Sequence, residues 1–209
     1  MEMYRAGKQR VGLIGGTFDP IHYGHLVIAE EVRATLNLAE MVFIPAGQPP
    51  HKAGHTNAAT HQRLAMLKLA LATNPHFTIS RVEIDRAGLS YLVDTLRILQ
   101  KQWGNQTELS FVMGWDSLEE FHNWYQPLGI LDQLTQLIAV GRPGHVEESE
   151  YIARLEARLP GISQKLLILP VPQLEISSTD LRRRVAEGKP IKYQVPEAVE
   201  QYIMEHGLY

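Results

Sequence analysis

The chain has 209 residues, 44% of them apolar, a formal net charge of −3 and no cysteine. That length and apolar content suit a single α/β domain spanning 1–209 with a substantial core, and the charge balance offers no general basic footprint for nucleic acid. The missing thiols exclude disulfides and thiolate-held zinc. With no apolar leader and no run near the ~20 apolar residues of a membrane span, a cytoplasmic protein with no membrane partner is expected.

The first element is a short apolar run, 11–14, that reads as a buried parallel strand. It runs into GGTFDPIHYGH (15–25), and then into a helical pattern over 24–36 in which Leu26, Ala29, Val32 and Leu36 recur at spacings of three and four. Glycines at a strand-to-helix turn let the backbone approach a bulky anion, and the helix start offers unpaired N–H groups to it. His22 and His25 stand beside that anion position as imidazole donors, and a phosphate neighbour would favour their charged form. The glycine spacing fits neither G-x-G-x-x-G nor G-x-x-x-x-G-K-[ST]. A nicotinamide dehydrogenase and a P-loop NTPase are therefore disfavoured.

A second strand is predicted over 41–44, followed by a long loop, 45–60, rich in Gly, Pro, His and Ala. Lys52 ends its Pro-Pro-His-Lys segment, where a flexible ammonium would reach a phosphate on closure. His51 and His55 lack a nearby carboxylate or thiol to complete a zinc set. A helix over 61–73, a strand over 78–84 and a helix over 90–103 follow. The fourth strand, 109–113, leads to Gly114 and Asp116, and a carboxylate there suits ribose hydroxyls. A fifth strand is expected at 136–140, a Gly/Pro loop at 141–148, a helix at 150–159 and a sixth strand at 166–171. ISSTDLR (176–182) then opens a helix over 179–187, with Ser178 or Thr179 as N-cap and Arg182 one turn along on the Ser178 face. Arg183 and Arg184 point away from that face. The final helix spans 196–206.

Strand and helix alternate throughout, the pattern of a doubly wound, mostly parallel sheet of about six strands in the order 3-2-1-4-5-6. In such a sheet ligands bind beyond the C-terminal ends of the first and fourth strands. Residues 15–25 should therefore face 114–116.

Five segments in this order, GGTFDPIHYGH (15–25), IPAGQPPHK (44–52), RAGLSYLVDTL (86–96), GWDSLEEFHNWY (114–125) and ISSTDLR (176–182), resemble the bacterial nicotinate mononucleotide adenylyltransferases. That family belongs to the class I nucleotidyltransferases, with a Rossmann-like fold. The resemblance implies adenylyl transfer from ATP to nicotinate mononucleotide, giving deamido-NAD and pyrophosphate, with Mg²⁺ arriving on ATP rather than in a protein metal site. It implies catalytic roles for His22, His25 (nearest the α-phosphate), Lys52 and Arg182. It implies ATP contacts from Gly15, Gly16, Thr17, Phe18, Gly114, Asp116, Ile176, Ser177, Ser178 and Thr179. The mononucleotide falls to Ser90, Tyr91 and Leu92, whose backbone N–H groups at a helix start would hold the pyridine carboxylate, and to Trp124 and Tyr125, with the ring stacked on Trp124.

The chain departs from the family pattern at Leu92, where Thr is usual, and at the bulky Trp115; both are expected to border the acceptor pocket. The nearest alternative is the same chemistry on nicotinamide mononucleotide. Phosphopantetheine and glycerol-phosphate nucleotidyltransferases share only the first motif. A non-catalytic nucleotide-binding regulator is disfavoured by the intact His22, His25, Lys52, Ser178 and Arg182, and an RNA-binding module by the acidic charge.

Overall fold

The computed structural model describes residues 8–48, 57–104, 106–141, 148–172 and 174–209. Six strands form one all-parallel sheet: β1 (Gln9–Gly16), β2 (Glu40–Pro45), β3 (Phe77–Ile79), β4 (Thr107–Gly114), β5 (Gln136–Val140) and β6 (Leu166–Leu169). Their order is β3-β2-β1-β4-β5-β6, the doubly wound order expected from the alternation. Parallel neighbours need crossovers, which here carry α1 (Tyr23–Thr35), α2 (Thr60–Leu71), α3 (Leu92–Trp103), α4 (Trp115–Glu119), α5 (Pro127–Gln133) and α6 (Glu148–Arg158). Two helices close the fold, α7 (Ser178–Ala186) and α8 (Glu197–Glu205).

Strand periodicity divides the core in two. Ile14, Met41, Phe43, Val112, Ile138 and Val140 face α1, α2, α7 and α8. Val11, Leu13, Val42, Ile44, Leu109, Phe111 and Met113 face α3, α4, α5 and α6. With both faces covered, the middle residues of the central strands, 11–14, 41–44, 109–113 and 137–140, are buried and, apart from Gly12 and Ser110, apolar, which explains why they read as continuous apolar runs. Among the described residues no helix is long and apolar enough to cross a membrane.

Three sequence expectations change. The third strand is not 78–84 but three residues long, because only Phe77, Thr78 and Ile79 find partners on β2. After it the Asp85 N–H donates to the Arg81 carbonyl at 2.9 Å and the two side chains pair at 2.7 Å, so the chain turns off the sheet and carries Val82 and Glu83 towards α3. The sixth strand stops at Leu169 rather than at 171, ahead of Pro170 and Pro172, which have no N–H to give a ladder. Between β4 and β5 two short helices stand where none was expected, α5 opening with Pro127 at its first position, where a missing N–H costs nothing.

Candidate functional site

Beyond the C-terminal ends of β1 and β4 lie two adjoining cavities of about 760 Å³ and 170 Å³. Gly15, Gly16, Phe111 and Trp124 line both and so form the partition between them. The larger one gathers Thr17, Phe18, His22, His25, Gly114, Asp116, Ile176, Ser177, Ser178, Thr179 and Arg182. Segments 15–25 and 114–116 therefore do face each other, as strand order alone required.

The turn from β1 into α1 is built for close approach. A Cβ on Gly16 would lie 2.9 Å from the Phe18 ring, so no other residue leaves room there. Phe18 holds a left-handed φ of 50° with its side chain buried, its edge packed against His25 at 5.2 Å between ring centres. That packing supports the His25 ring from one side. The His22 ring supports it from the other, stacked at 3.7 Å. The His22 N–H donates to His25 Nδ1 at 3.4 Å, a long bond that leaves the proton of a neutral His25 on Nε2.

The charged form expected of His22 is one that a phosphate neighbour would favour. Burial pushes its pKa down to about 4, so in the ligand-free protein it is neutral at pH 7. Its buried Nδ1 has no hydrogen-bond partner among the described residues. His22 thus brings a neutral ring to the cavity wall, with Nδ1 turned into the protein beside Gly24.

The segment 176–182 also refines the expectation. The N-cap of α7 is Ser177, not Ser178 or Thr179: its hydroxyl accepts the Asp180 N–H at 3.1 Å. Ser178 instead donates to the Pro20 carbonyl at 2.9 Å, tying the start of α7 to the glycine–histidine turn. Arg182 donates to the Asp19 carbonyl at 2.7 Å and to Thr179 Oγ1 at 3.2 Å, which fixes its guanidinium at the cavity wall. The start of α7 and the start of α1 therefore converge on one space with their dipole-positive ends.

Under this wall lies a network that sequence reading passed over. The buried Asp19 carboxylate accepts the N–H groups of Asn57 (2.8 Å) and Ala58 (3.2 Å) and the hydroxyl of Tyr209 (2.6 Å). Arg63, 1% exposed, donates to the carbonyls of Thr17 and Ala46 and to Thr60 Oγ1. Burial lowers the Arg63 pKa, and the charge of Asp19 works against that shift. The only sequence signal was an arginine on the apolar stripe of α2, adjoining Leu64 and three and four residues before Met66 and Leu67.

The smaller cavity is lined by Ser90, Tyr91, Leu92, Trp124, Tyr125, Ile44, Ala46, Ile130 and a buried carboxyl, Glu83. Trp124 is held edge-on by Phe121 (5.5 Å) and Phe111 (6.4 Å), and Tyr125, half exposed, stacks on Tyr91 at 4.5 Å. The five acceptor residues expected from the sequence are thus together. Their backbone donors are fewer than expected. Helix α3 begins at Leu92, the Ser90 N–H donates to the Gln48 carbonyl and the Tyr91 N–H to the Leu89 carbonyl. The N–H groups of the first turn, at Leu92 and Val93, are the ones a helix leaves unpaired. The Ser90 hydroxyl accepts the N–H groups of Gly47 and Gln48, each at 3.1 Å. Gly47 itself is pressed on the chain: a Cβ there would lie 2.2 Å from the Glu83 carbonyl oxygen.

Trp115 does not border either cavity. Its ring stacks on Tyr151 at 4.7 Å and its Nε1–H donates to Glu119 at 3.0 Å. Leu92 does line the smaller one. Lys52 lies outside the described residues, as does the rest of 49–56.

The cytidylyltransferase-like family model matches residues 13–184. A protein of Thermomicrobium roseum named "Probable nicotinate-nucleotide adenylyltransferase" is 46% identical over 200 residues, covering 96% of this chain and 91% of its own. One of the same name from Dehalococcoides mccartyi is 44% identical, covering 96% and 97%. The structure of a Plasmodium falciparum nicotinic acid mononucleotide adenylyltransferase complexed with NaAD superposes with a TM-score of 0.77 at 19% identity, over 96% of this chain and 97% of that one. The last is a likeness of fold. The first three matches go further: with a family model over 13–184 and identity of this order across nearly the whole of both chains, this chain belongs to the nicotinate-nucleotide adenylyltransferase family of cytidylyltransferase-like proteins.

Proposed function

We propose that the protein transfers the adenylyl group of ATP to nicotinate mononucleotide, forming deamido-NAD and releasing pyrophosphate, with 1–209 acting as one domain in the cytoplasm. The observation that carries this is the pair of adjoining cavities meeting at Gly15 and Gly16. One is walled by phosphate-binding elements and the other by aromatic rings, so two nucleotides would meet phosphate to phosphate at the glycine turn.

A 5′-phosphate oxygen of the mononucleotide attacks the α-phosphorus of ATP, and the bond to the β-phosphate bridging oxygen breaks. That nucleophile is already ionised, its second pKa being about 6, so no general base is needed. What the protein supplies is alignment and donors to the crowded phosphorus. His25, its Nδ1 occupied by the N-cap N–H, would turn an Nε2–H to the α-phosphate. His22, neutral in the ligand-free protein, would be drawn towards its charged form by the phosphates, and its ring stacked on His25 would hold that donor in place. Arg182 and the first turn of α7 would hold the remaining phosphates, joined by Lys52. Asp116 at the mouth of β4 would take the ribose hydroxyls, and Trp124 the pyridine ring.

Mg²⁺ would enter on the triphosphate. A cation carried by ATP would be bound mainly by phosphate oxygens. The reading is tested by incubating the protein with Mg-ATP and each pyridine mononucleotide separately and identifying the product. Deamido-NAD and pyrophosphate are expected, and full activity with excess chelator, or no dinucleotide from either acceptor, would refute it.

A further inference from the structure

Glu83 is a carboxyl with an unusual station. It is 8% exposed, it lines the smaller cavity, and it has no ion-pair partner within 4.0 Å among the described residues. Its Oε1 lies 2.8 Å from the hydroxyl of Thr95, and the Ser90 hydroxyl lies within reach of the same carboxyl. These contacts join both walls of the cavity. Ser90 is fastened to Gly47 and Gln48 after β2, and Thr95 also reaches the Tyr91 carbonyl at 3.2 Å in the first turn of α3. A residue kept only for packing would not be an acid here.

We propose that Glu83 is the specificity-determining residue for the acceptor, admitting the acid by presenting a neutral carboxyl to the pocket and favouring the amide once it ionises. The proposal rests on the adenylyltransferase reading above. A space of about 170 Å³ that must hold a pyridine ring leaves its carboxyl substituent no position remote from Glu83. Two carboxylates so placed do not both ionise, because mutual repulsion in a water-poor site raises one of them. A bound nicotinate, fixed by the Leu92 and Val93 N–H groups, therefore requires the proton to stay on Glu83. A nicotinamide has no such requirement, since its NH₂ would donate to an ionised Glu83.

The surroundings act on the same equilibrium in the free protein. Burial raises the Glu83 pKa, with Thr95, Ser90 and the charge of Arg86 pulling the other way. Arg86 is partly spent elsewhere, 4.0 Å from Asp94 and donating to the Leu89 carbonyl. From the helical side Tyr91 and Tyr125 face the cavity. From β1, β2 and β4 come only Gly15, Gly16, Ile44 and Phe111, none of which carries charge.

The test is the ratio of kcat/KM for nicotinate mononucleotide to that for nicotinamide mononucleotide, measured with Mg-ATP in steps from about pH 6 to about pH 9.5. Because kcat/KM reports the free enzyme, tighter proton binding in the complex does not mask the titration. The ratio cancels every titration common to both acceptors, including both phosphates and the histidines, and it cancels any inactive fraction. The wild-type ratio should fall with rising pH, by up to roughly tenfold per unit beyond the Glu83 midpoint. Glu83→Gln, which is uncharged at every pH, should give a flat ratio within a few-fold of the wild-type acid plateau. A flat wild-type ratio, or the same slope in Glu83→Gln, overturns the assignment of Glu83 while leaving adenylyl transfer intact. Failure to form either dinucleotide overturns both readings together.

Discussion

Replacing Tyr209 by Phe isolates one bond in the network beneath the larger cavity. The hydroxyl donates to Asp19 Oδ1 at 2.6 Å, and the ring packs against the core beside α1, α2 and α8. Phe keeps that packing, so the perturbation is the loss of a single hydrogen bond to a buried carboxylate. Such bonds contribute about 1.5–3 kcal/mol. Asp19 retains the Asn57 and Ala58 N–H groups and is not orphaned, which argues for the lower half of that range, about 2 kcal/mol. For a chain of this length the corresponding fall in Tm is about 4–8 °C. Burial, then the neighbouring Asp19, hold the Tyr209 phenol well above its ordinary pKa, so the effect should not change from neutral to mildly alkaline pH. Thermal and denaturant melts measure it, and a double-mutant cycle with Asp19→Asn should return a coupling of similar size. Because Thr17 and Asp19 carry the carbonyls that hold Arg63 and Arg182, the KM for ATP should rise several-fold while the protein stays folded. A Tm unchanged within about 1 °C, or a coupling below about 0.5 kcal/mol, would refute the role given to this bond.

Stability should also carry the signature of His22. Its native pKa of about 4 lies below the unfolded value of 6.5, so as pH falls the unfolded chain takes up the proton first. Its contribution is intact above pH 6.5 and is lost progressively towards pH 4, by about 3 kcal/mol in all; His22→Gln should remove that part of the acid limb in denaturant melts, and an unchanged limb would exclude it. His25→Ala should lower kcat by roughly 10²–10³, the usual consequence of removing one transition-state donor, with a near-native melt; near-normal turnover would withdraw the catalytic assignment. Trp124→Ala should raise the KM of both mononucleotides by about tenfold or more through loss of the stacking face, measured in the same two-acceptor assay. A change confined to ATP would place the acceptor elsewhere.

Much of the fold was legible because its signals are local. A parallel sheet buried on both faces writes its strands as apolar runs, and six such runs separated by helical periods leave little freedom in topology. The order β3-β2-β1-β4-β5-β6 then brings Gly15 to His25 opposite Gly114 and Asp116, so the gathering of these segments around one cavity followed from strand order. Where the local signal was ambiguous, tertiary partners decided. Val82 and Ile84 continue a strand-like alternation, yet β2 pairs only with Phe77–Ile79, and the released chain carries Glu83 into the acceptor pocket. The sequence offered Ser178 or Thr179 as the cap; the Pro20 carbonyl engages Ser178, and Ser177 caps the helix instead. Trp115 read as a pocket residue because it adjoins Asp116, and the packing of Tyr151 turns it away. The ionic hub of Asp19, Arg63 and Tyr209 joins positions far apart in the chain, and the protonation of His22 depends on burial by neighbours. Residue types and spacing carry the chemistry a segment is able to perform; which groups lose water, and which other groups they meet when they do, exists only once the chain is packed.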